Sequence, residues 1–262
     1  MPTKLQAPSP NNVEKLRLIL STYQDGTGML AQKGGGALPG WRDLERAVAT
    51  VFDGEAQENK SVFDVLVPVP SNQHIKFGVS CKMRRELDRV DKTGRVAFEL
   101  SNSAGKFWGY LRRQGLNQKN YRRNPLLVGS ALLDLVRQWH TEVSLEQGGL
   151  VDLSRSFYLV LSWNRAGWYQ LYQFSIHLPE PKSLKWGFHT RKCLRGDDHA
   201  GTLFEWYGES GGQLKYYPLV KNAIWSSARF QLEPIKRSGR RDASTKTADY
   251  FPELWARACR QP

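Results

Sequence analysis

The sequence predicts a mixed α/β (α+β) fold in which a central mixed β-sheet is flanked by helices. Segments with helical spacing of apolar residues alternate along the chain with short runs of alternating or continuous apolar residues. Hydrophobic residues make up 40% of the 262 residues and aromatic residues 11%, which excludes disordered and collagen-like proteins. Because no internal repeat or linker is evident, we predict a single domain over residues 1–262.

The first part of the chain predicts an arm followed by two helices. Residues 1–12 are rich in proline and are expected to form a flexible N-terminal arm. Apolar residues recur at helical spacing over Val13–Tyr23 and again over Trp41–Phe52. The glycine-rich segment Gly26–Gly40 between them is predicted to be a loop. It lacks the Gly-x-x-x-x-Gly-Lys-[Ser/Thr] pattern that binds nucleotide phosphates, so no nucleotide cofactor is expected.

The middle of the chain predicts most of the sheet. Two β-type runs, Ser61–Val67 and His74–Met83, are joined by a segment with two prolines and predict a β-hairpin with a longer loop. Residues 95–101 alternate in polarity and form either a strand or the approach to a helix. The other predicted elements are a helix and two buried or alternating β-segments: Pro125–His140, Ser156–Ser162 and Trp168–Leu178.

The charge of the chain predicts an anionic partner. Lys and Arg number 38 against 25 Asp and Glu, a formal net charge of +13, and nucleic acid is the commonest partner of such proteins. The positive residues are concentrated in four bursts that are interleaved with aromatic residues, which favours a phosphate-binding surface. The bursts span Lys82–Arg95, Arg112–Arg123, Lys182–Arg195 and Lys236–Arg241. The aromatic and basic C-terminal part is expected to contact DNA.

The cysteines and the hydropathy predict a cytoplasmic protein without membrane contact. Cys81, Cys193 and Cys259 are odd in number and widely separated, which argues against a disulfide scaffold and for a reducing compartment. No apolar stretch approaches the ~18 residues of a membrane helix. His189, Cys193 and His199 lie near two aspartates, but their spacing matches no common zinc site, so a structural or DNA-facing role is favoured.

The residues that predict chemistry lie on the hairpin. Asp64 falls in its first strand, and Ser80 and Lys82 fall near the end of its second strand. Since side chains alternate along a strand, Ser80 and Lys82 share one face, and the folded hairpin brings Asp64 close to both. Phosphodiester hydrolysis needs such a group, in which carboxylates hold Mg²⁺ and a lysine orients the attacking water or stabilises developing charge.

A second carboxylate is expected near Asp64, because one carboxylate rarely holds Mg²⁺ well. Glu99 is flanked by apolar residues, so some burial is expected, and a buried acid needs a metal or cationic partner. The alternatives for this ligand are Glu86 and, on the preceding predicted helix, Glu45.

The hairpin residues resemble a known nuclease signature. Asp64 followed by Ser80-x-Lys82 is similar to the Asp…(Asp/Glu)-x-Lys motif of PD-(D/E)xK nucleases, in the variant where serine replaces the acid before the lysine. Type II restriction endonucleases that read a CCGG core carry this variant and recover the missing acid from a glutamate downstream. The sequence departs from the pattern at Phe63, where proline is usual, and Glu99 lies about three residues later than the pattern expects.

The same resemblance predicts base contacts after the lysine. Those enzymes carry an Arg-x-Asp-Arg run there; Asp88 and Arg89 fall at the matching offset, with Glu86 in place of the earlier arginine. Arg pairs with guanine and Asp accepts from cytosine, although a helix-surface salt bridge is the alternative for these two residues. The predicted DNA-binding residues are Arg84, Arg85, Asp88, Arg89, Arg112 and Arg113.

The resemblance implies a Mg²⁺-dependent type II restriction endonuclease that acts on double-stranded DNA as a homodimer, since a palindromic site calls for two-fold symmetry. In this hypothesis Asp64 and Glu99 bind Mg²⁺, Lys82 activates water, Ser80 packs beside them, and Glu45 completes the candidate catalytic set. Two alternatives stay open: a non-catalytic DNA- or RNA-binding protein with a structural Asp64–Lys82 ion pair, and a structure-specific repair-type nuclease.

Overall fold

The computed structural model describes residues 7–32, 36–57, 62–190, 192–235 and 243–260. Residues 1–6 of the predicted arm, Arg191 in the third basic burst and the whole burst at Lys236–Arg241 lie outside these ranges. The fold is mixed, with a central mixed β-sheet flanked by helices, as the sequence predicts. None of the helices in the described part of the chain has the length and apolar character required to cross a membrane.

The helices and strands are interspersed along the chain. The helices are α1 Pro10–Thr22, α2 Trp41–Val51, α3 Leu87–Thr93, α4 Ala104–Arg113, α5 Pro125–Glu142, α6 Ala243–Tyr250 and α7 Pro252–Arg260. The strands before α5 are β1 Leu30–Ala31, β2 Ala37–Leu38, β3 Glu55–Ala56, β4 Val65–Val69, β5 Asn72–Arg84 and β6 Phe98–Ser101. The strands after it are β7 Phe157–Trp163, β8 Trp168–Ser175, β9 Lys185–Thr190, β10 Cys193–Asp198, β11 Gly201–Tyr207, β12 Gln213–Tyr216, β13 Trp225–Ser226 and β14 Phe230–Gln231.

The central sheet has the strand order β13-β8-β7-β5-β4-β3, and β14 also pairs with β8. Strands β5 and β7 are parallel, in register from Val79 opposite Phe157 to Arg84 opposite Ser162, and the other neighbours are antiparallel. Every residue of β7 is buried, because one core, with α1 and α2, covers one face and another, with α5, covers the opposite face. Such two-sided burial explains the continuous apolar run in this strand.

A second, antiparallel sheet of five strands has the order β6-β12-β11-β10-β9 and was not predicted from the sequence. Its first strand packs against the central sheet through Phe98, whose ring centroid lies 5.2 Å from that of Tyr158 and 6.2 Å from that of Phe174. Glu99 therefore belongs to this second sheet, opposite Lys215 of β12, and is not part of the sheet that contains the hairpin.

The hairpin forms, but its first strand begins at Val65, so Asp64 directly precedes this strand and does not lie within it as predicted. The connection is also much shorter than the predicted six residues. The strands extend to Val69 and from Asn72, leaving only Pro70 and Ser71 between them. The prolines misled the prediction, since Pro68 pairs with Lys76 within the ladder. This is tolerated because β3 pairs only with Val65 and Leu66, so the outer side of β4 has no neighbouring strand at Pro68.

Two other boundaries differ from the sequence-based expectation. Helix α1 begins at Pro10, inside the predicted arm, because Ser9 caps it with a side-chain hydrogen bond to the Asn12 N–H (3.1 Å) and proline is well suited to the first helical position. The predicted glycine-rich loop contains the two-stranded ribbon β1–β2, with Leu30 opposite Leu38. Within the segment 95–101, the predicted strand forms as β6 from Phe98 to Ser101, and the helix α4 begins after the segment, at Ala104.

Close packing of α5 on the second sheet is testable with one glycine. A Cβ atom on Gly129 of α5 would lie 2.3 Å from the Trp186 ring, which is fixed by stacking on Phe204 and by donation of its Nε1–H to the Pro181 carbonyl (2.9 Å). We expect Gly129→Ala to lower the free energy of unfolding by about 1–3 kcal/mol, as overpacking does. The matched control Gly109→Ala in α4 has open space around it and should raise stability by up to about 1 kcal/mol. Equal effects of both variants on denaturant unfolding would contradict this packing.

Candidate active site

The hairpin register brings together the three residues singled out by the motif. The Asp64 N–H donates to the Val79 carbonyl (3.1 Å), which places Asp64 opposite Ser80 across the ladder. The Ser80 hydroxyl donates to Asp64 Oδ2 over 3.2 Å, and Lys82 Nζ donates to the same oxygen over 3.0 Å. A hydroxyl and an ammonium group on one face of β5 thus hold the carboxylate of the residue that directly precedes β4.

Asp64 and Lys82 line a cleft between α2, the hairpin and β6, whereas Ser80 is buried. The cleft has a volume of about 520 Å³, and its charged lining residues are Glu45, Asp64, Lys82, Arg84 and Glu99. Three of these five groups are carboxylates and two are cations. The lining therefore carries one net negative charge when all five are ionised and is neutral when one carboxyl group is protonated.

Glu45 reaches the cleft from α2 and is 6% exposed. Burial, followed by the negative charge of Asp64, raises the pKa of Glu45 to about 7, although Arg42 and Lys82 act in the opposite direction. Near neutral pH the Glu45 carboxyl group is therefore present in both its protonated and its ionised form, next to Asp64. A carboxyl group that titrates near pH 7 inside a charged cleft is typical of functional sites.

Glu99 and Glu86, the two downstream candidates for the second carboxylate, are placed differently. Glu99 lines the cleft, with Oε2 4.0 Å from Arg84 Nη2. Glu86 is outside the cleft lining and precedes α3, where its Oε2 lies 3.5 Å from Arg89 Nη1. The geometry therefore favours Glu99 over Glu86 as a partner of Asp64.

The donor chemistry of the cleft suits Mg²⁺, which takes one or two carboxylates together with water and substrate oxygens. Asp64 and Glu99 supply two such carboxylates to one cleft. In the described ranges, no three His, Cys, Asp or Glu side chains are grouped as a ready-made metal site. Cys193 is buried in β10, whereas His189 and His199 are exposed, so the structure does not draw these three into a common site.

Comparison of the chain with protein-family models, curated proteins and solved structures gives no match. The chemistry of the cleft is therefore inferred from its own residues.

Of the predicted DNA-binding residues, Arg84 alone lines the cleft, and Arg85, Asp88 and Arg89 make contacts outside its lining. The Arg85 guanidinium lies 5.8 Å from the ring centroid of Trp163. Asp88 Oδ1 accepts a hydrogen bond from Asn164 Nδ2 (2.7 Å). Arg89 pairs with Glu86 and lies over the Tyr217 ring at 5.4 Å, so the helix-surface salt bridge considered for this residue is present.

Arg112 and Arg113 lie at the opposite end of α4 from the cleft. The cleft lining ends at Asn102, before the first residue of this helix, whereas the two arginines form its last turn. Both are exposed, and the Arg113 guanidinium lies 5.3 Å from the Tyr110 ring centroid. A DNA contact by this pair would have to be made at some distance from Lys82.

Trp41 also lines the cleft, although the sequence pattern does not identify it as a site residue. It was assigned to the apolar stripe of α2, but it is 48% exposed and has the Arg42 guanidinium 4.7 Å from its ring centroid. The stripe holds for Leu44 and Val48, which are fully buried. No local pattern distinguishes Trp41, because only the tertiary position of the first helical turn exposes it.

The raised pKa of Glu45 predicts a specific pH dependence of stability. Because the folded protein holds this proton to about pH 7 and the unfolded chain releases it near pH 4.5, the protonated Glu45 favours folding at low pH. This contribution, up to about 3 kcal/mol, is lost as the pH rises from about 4.5 to 7. In metal-free buffer, Glu45→Gln should therefore gain stability relative to the wild type between pH 5 and pH 8. If the difference in unfolding free energy between Glu45→Gln and the wild type is the same at pH 5 and pH 8, the raised pKa of Glu45 is contradicted.

Proposed function

We propose that the chain is a Mg²⁺-dependent endonuclease of double-stranded DNA, most similar to type II restriction enzymes of the PD-(D/E)xK superfamily. The observation that carries this proposal is the Lys82 ammonium group 3.0 Å from the Asp64 carboxylate, in a cleft that Glu99 and Glu45 also line. A buried ion pair alone would need no cleft. Here the pair is partly exposed, with 22% of the Lys82 side chain and 26% of the Asp64 side chain accessible.

The charge of the cleft supports metal-dependent phosphate chemistry. The lining carries one net negative charge when all its groups are ionised and is neutral when Glu45 is protonated, and in either state one bound divalent cation would make it positive and so favourable to a phosphodiester. Asp64 and Glu99 are the residues that would hold Mg²⁺. When bound there, Mg²⁺ would lower the pKa of a water molecule and neutralise charge on the phosphoryl oxygens.

The protein side chains supply orientation and charge. Lys82 is fixed by Asp64, so its remaining N–H groups can orient the attacking water or stabilise the charge that develops on the phosphorane. Ser80 donates to the same Asp64 oxygen as Lys82, and this second hydrogen bond limits rotation of the carboxylate. Glu45, with its pKa near 7, is suited to hold or release a proton at the edge of the cleft.

The remaining parts of the proposal follow from the proposed reaction. The mixed sheet flanked by helices, with the motif on a central hairpin, is compatible with a PD-(D/E)xK core. Cutting both strands at a palindrome requires two active sites related by a two-fold axis, so we propose a homodimer. A cytoplasmic location suits the three free cysteines, which stay reduced there.

The ion pair is tested by removing either partner. In Lys82→Ala or Asp64→Asn, plasmid cleavage in Mg²⁺ should fall by at least about 10²–10³-fold, because the lost group acts on charge that develops in the transition state. Binding of duplex DNA in Ca²⁺ should change much less. The matched control is Lys76→Ala. Lys76 lies on the same strand as Lys82, but its ammonium group pairs with Glu55 outside the cleft. The Lys76→Ala variant should cleave like the wild type.

The outcome also separates the alternatives. Full activity in Lys82→Ala would contradict the assignment. A wild-type protein that binds DNA and never cleaves it would support a non-catalytic binding protein, and cleavage confined to distorted DNA would support a repair-type nuclease.

The second carboxylate is assigned by Mg²⁺ titration of cleavage. Because Glu99 lines the cleft and Glu86 does not, Glu99→Gln should raise the Mg²⁺ concentration for half-maximal cleavage by about tenfold or more, as loss of a metal-binding interaction typically does. Glu86→Gln should leave it unchanged. A shift in Glu86→Gln alone would show that the wrong glutamate has been assigned.

A further inference from the structure

A second concave region, which we call the arginine groove, lies where β5 and β7 end. Its volume is about 1120 Å³, and its lining includes Arg85, Trp163, Asn164, Arg165 and Trp168. We propose that the arginine groove binds the sugar–phosphate backbone of the DNA that flanks the scissile phosphate. This inference rests on the proposed function, because it assigns a path to the same substrate.

The position of the groove connects it with the cleft. Arg84, the last residue of β5, lines the cleft, and the next residue, Arg85, lines the groove, so the two concave regions are adjacent along the chain. At the usual rise per residue, Arg85 follows Lys82 by about 10 Å along the chain. Each strand of a DNA duplex carries one phosphate per ~3.4 Å of axis, so this separation corresponds to about three nucleotides. Arg165 reaches the same groove from the turn that follows β7.

The ion pairs of the groove leave two of its arginines without a carboxylate. Its two glutamates, Glu14 and Glu233, are both held by Arg17, at 2.8 and 2.6 Å. Arg229 pairs with Asp91. Within the residues described, Arg85 and Arg165 have no ion-pair partner, and both are exposed. Two free guanidinium groups on one concave surface are suited to bind phosphates.

Stacked aromatic rings give this surface a rigid base. The rings of Trp163 and Tyr169 are stacked with centroids 6.0 Å apart, and Phe230 continues the stack at 5.8 Å from Tyr169. The Arg85 guanidinium lies over the first ring of the stack, which limits its motion. Trp168, 40% exposed, offers a further face for a sugar or a base.

The combination of size and chemistry favours a nucleic-acid strand over a small molecule. Small-ligand sites measure about 300–1,000 Å³ and are mostly apolar, whereas the groove exceeds that range and presents free cationic groups beside exposed aromatic surface. A positively charged groove with aromatic side chains is the usual way in which proteins track a nucleic-acid backbone.

The test compares two pairs of charge-removing substitutions. Arg85→Ala with Arg165→Ala removes the free cations of the groove. The control, Lys182→Ala with Lys185→Ala, removes the same charge from the third basic burst, just before and at the start of β9. The sequence predicts phosphate contacts for this burst, but neither lysine lines the arginine groove. Strand β9 is four strands away from β6 in the second sheet, about 19 Å at the usual strand spacing. Affinity is measured in Ca²⁺ over a range of salt concentrations, with thermal unfolding as the check on folding. The probe is a duplex oligonucleotide that carries the cleavage site where cleavage has mapped one, and a duplex of random sequence where the wild type does not cleave.

The groove variant should bind about tenfold more weakly at ~0.1 M salt, and its log–log salt slope should be smaller by about two, one for each lost phosphate contact. The β9 variant should bind within about threefold of the wild type, as expected of charges outside the contact region. Restoring the charge with Arg85→Lys and Arg165→Lys should recover most of the slope, since lysine also neutralises phosphate.

Shortening the DNA locates the contact. Duplexes are trimmed in steps of one base pair outside the cleavage site, and wild-type affinity should drop where the flank no longer reaches the groove. The groove variant should show no such drop, because the contact has already been removed. Equal losses in the groove and β9 variants, or a wild-type-like drop in the groove variant, would overturn the proposal.

The result is separable from that of the proposed function. If the wild type cleaves DNA and the groove variant binds like the wild type, the groove assignment is wrong and the nuclease proposal stands. If the wild type binds through the groove but never cleaves, the groove assignment stands and the nuclease proposal fails. A wild type that binds no DNA overturns both.

Discussion

The parallel pairing of β5 with β7 is the constraint on which the rest of the structure depends. Strand β7 is buried along its whole length, so its ladder bonds to β5 form in a region that excludes water from both faces. Both strands end at the same edge of the sheet, which sets Arg85 beside Trp163 and fixes the groove next to the cleft. The connection between the two strands carries β6 and α5, so the same pairing also positions the second sheet.

The cleft combines groups whose charges oppose one another. Asp64 is held by Ser80 and Lys82, while Glu45 lies buried close enough for the charge of Asp64 to raise its pKa. In a region of low dielectric, these carboxylates are stabilised only by cations or by protonation. Lys82 supplies one positive charge, and the excess of carboxylates explains why a divalent metal ion would be accommodated there before a phosphate group.

Local sequence patterns predicted the parts of the structure that depend on near neighbours. Helices α2 and α5 followed from long apolar stripes, and the contact between Asp64 and Lys82 followed from alternation along a hairpin. In the second sheet, β9 to β12 pair with their neighbours along the chain, and only β6 joins through a pairing that is distant in sequence, Glu99 opposite Lys215. The addition of β6 could not be predicted from local patterns. The arginine groove escaped prediction for the same reason: Trp163 and Phe230 lie in one aromatic stack only after β14 has paired with β8.

We propose that the cleft cuts DNA at a defined sequence. The most direct test is digestion of a plasmid library by the wild-type protein in Mg²⁺, followed by sequencing of the fragment ends. We expect ends that share one short palindromic sequence and that disappear when EDTA replaces Mg²⁺. Intact plasmid at every metal concentration, or ends distributed at random along the DNA, would contradict the claim.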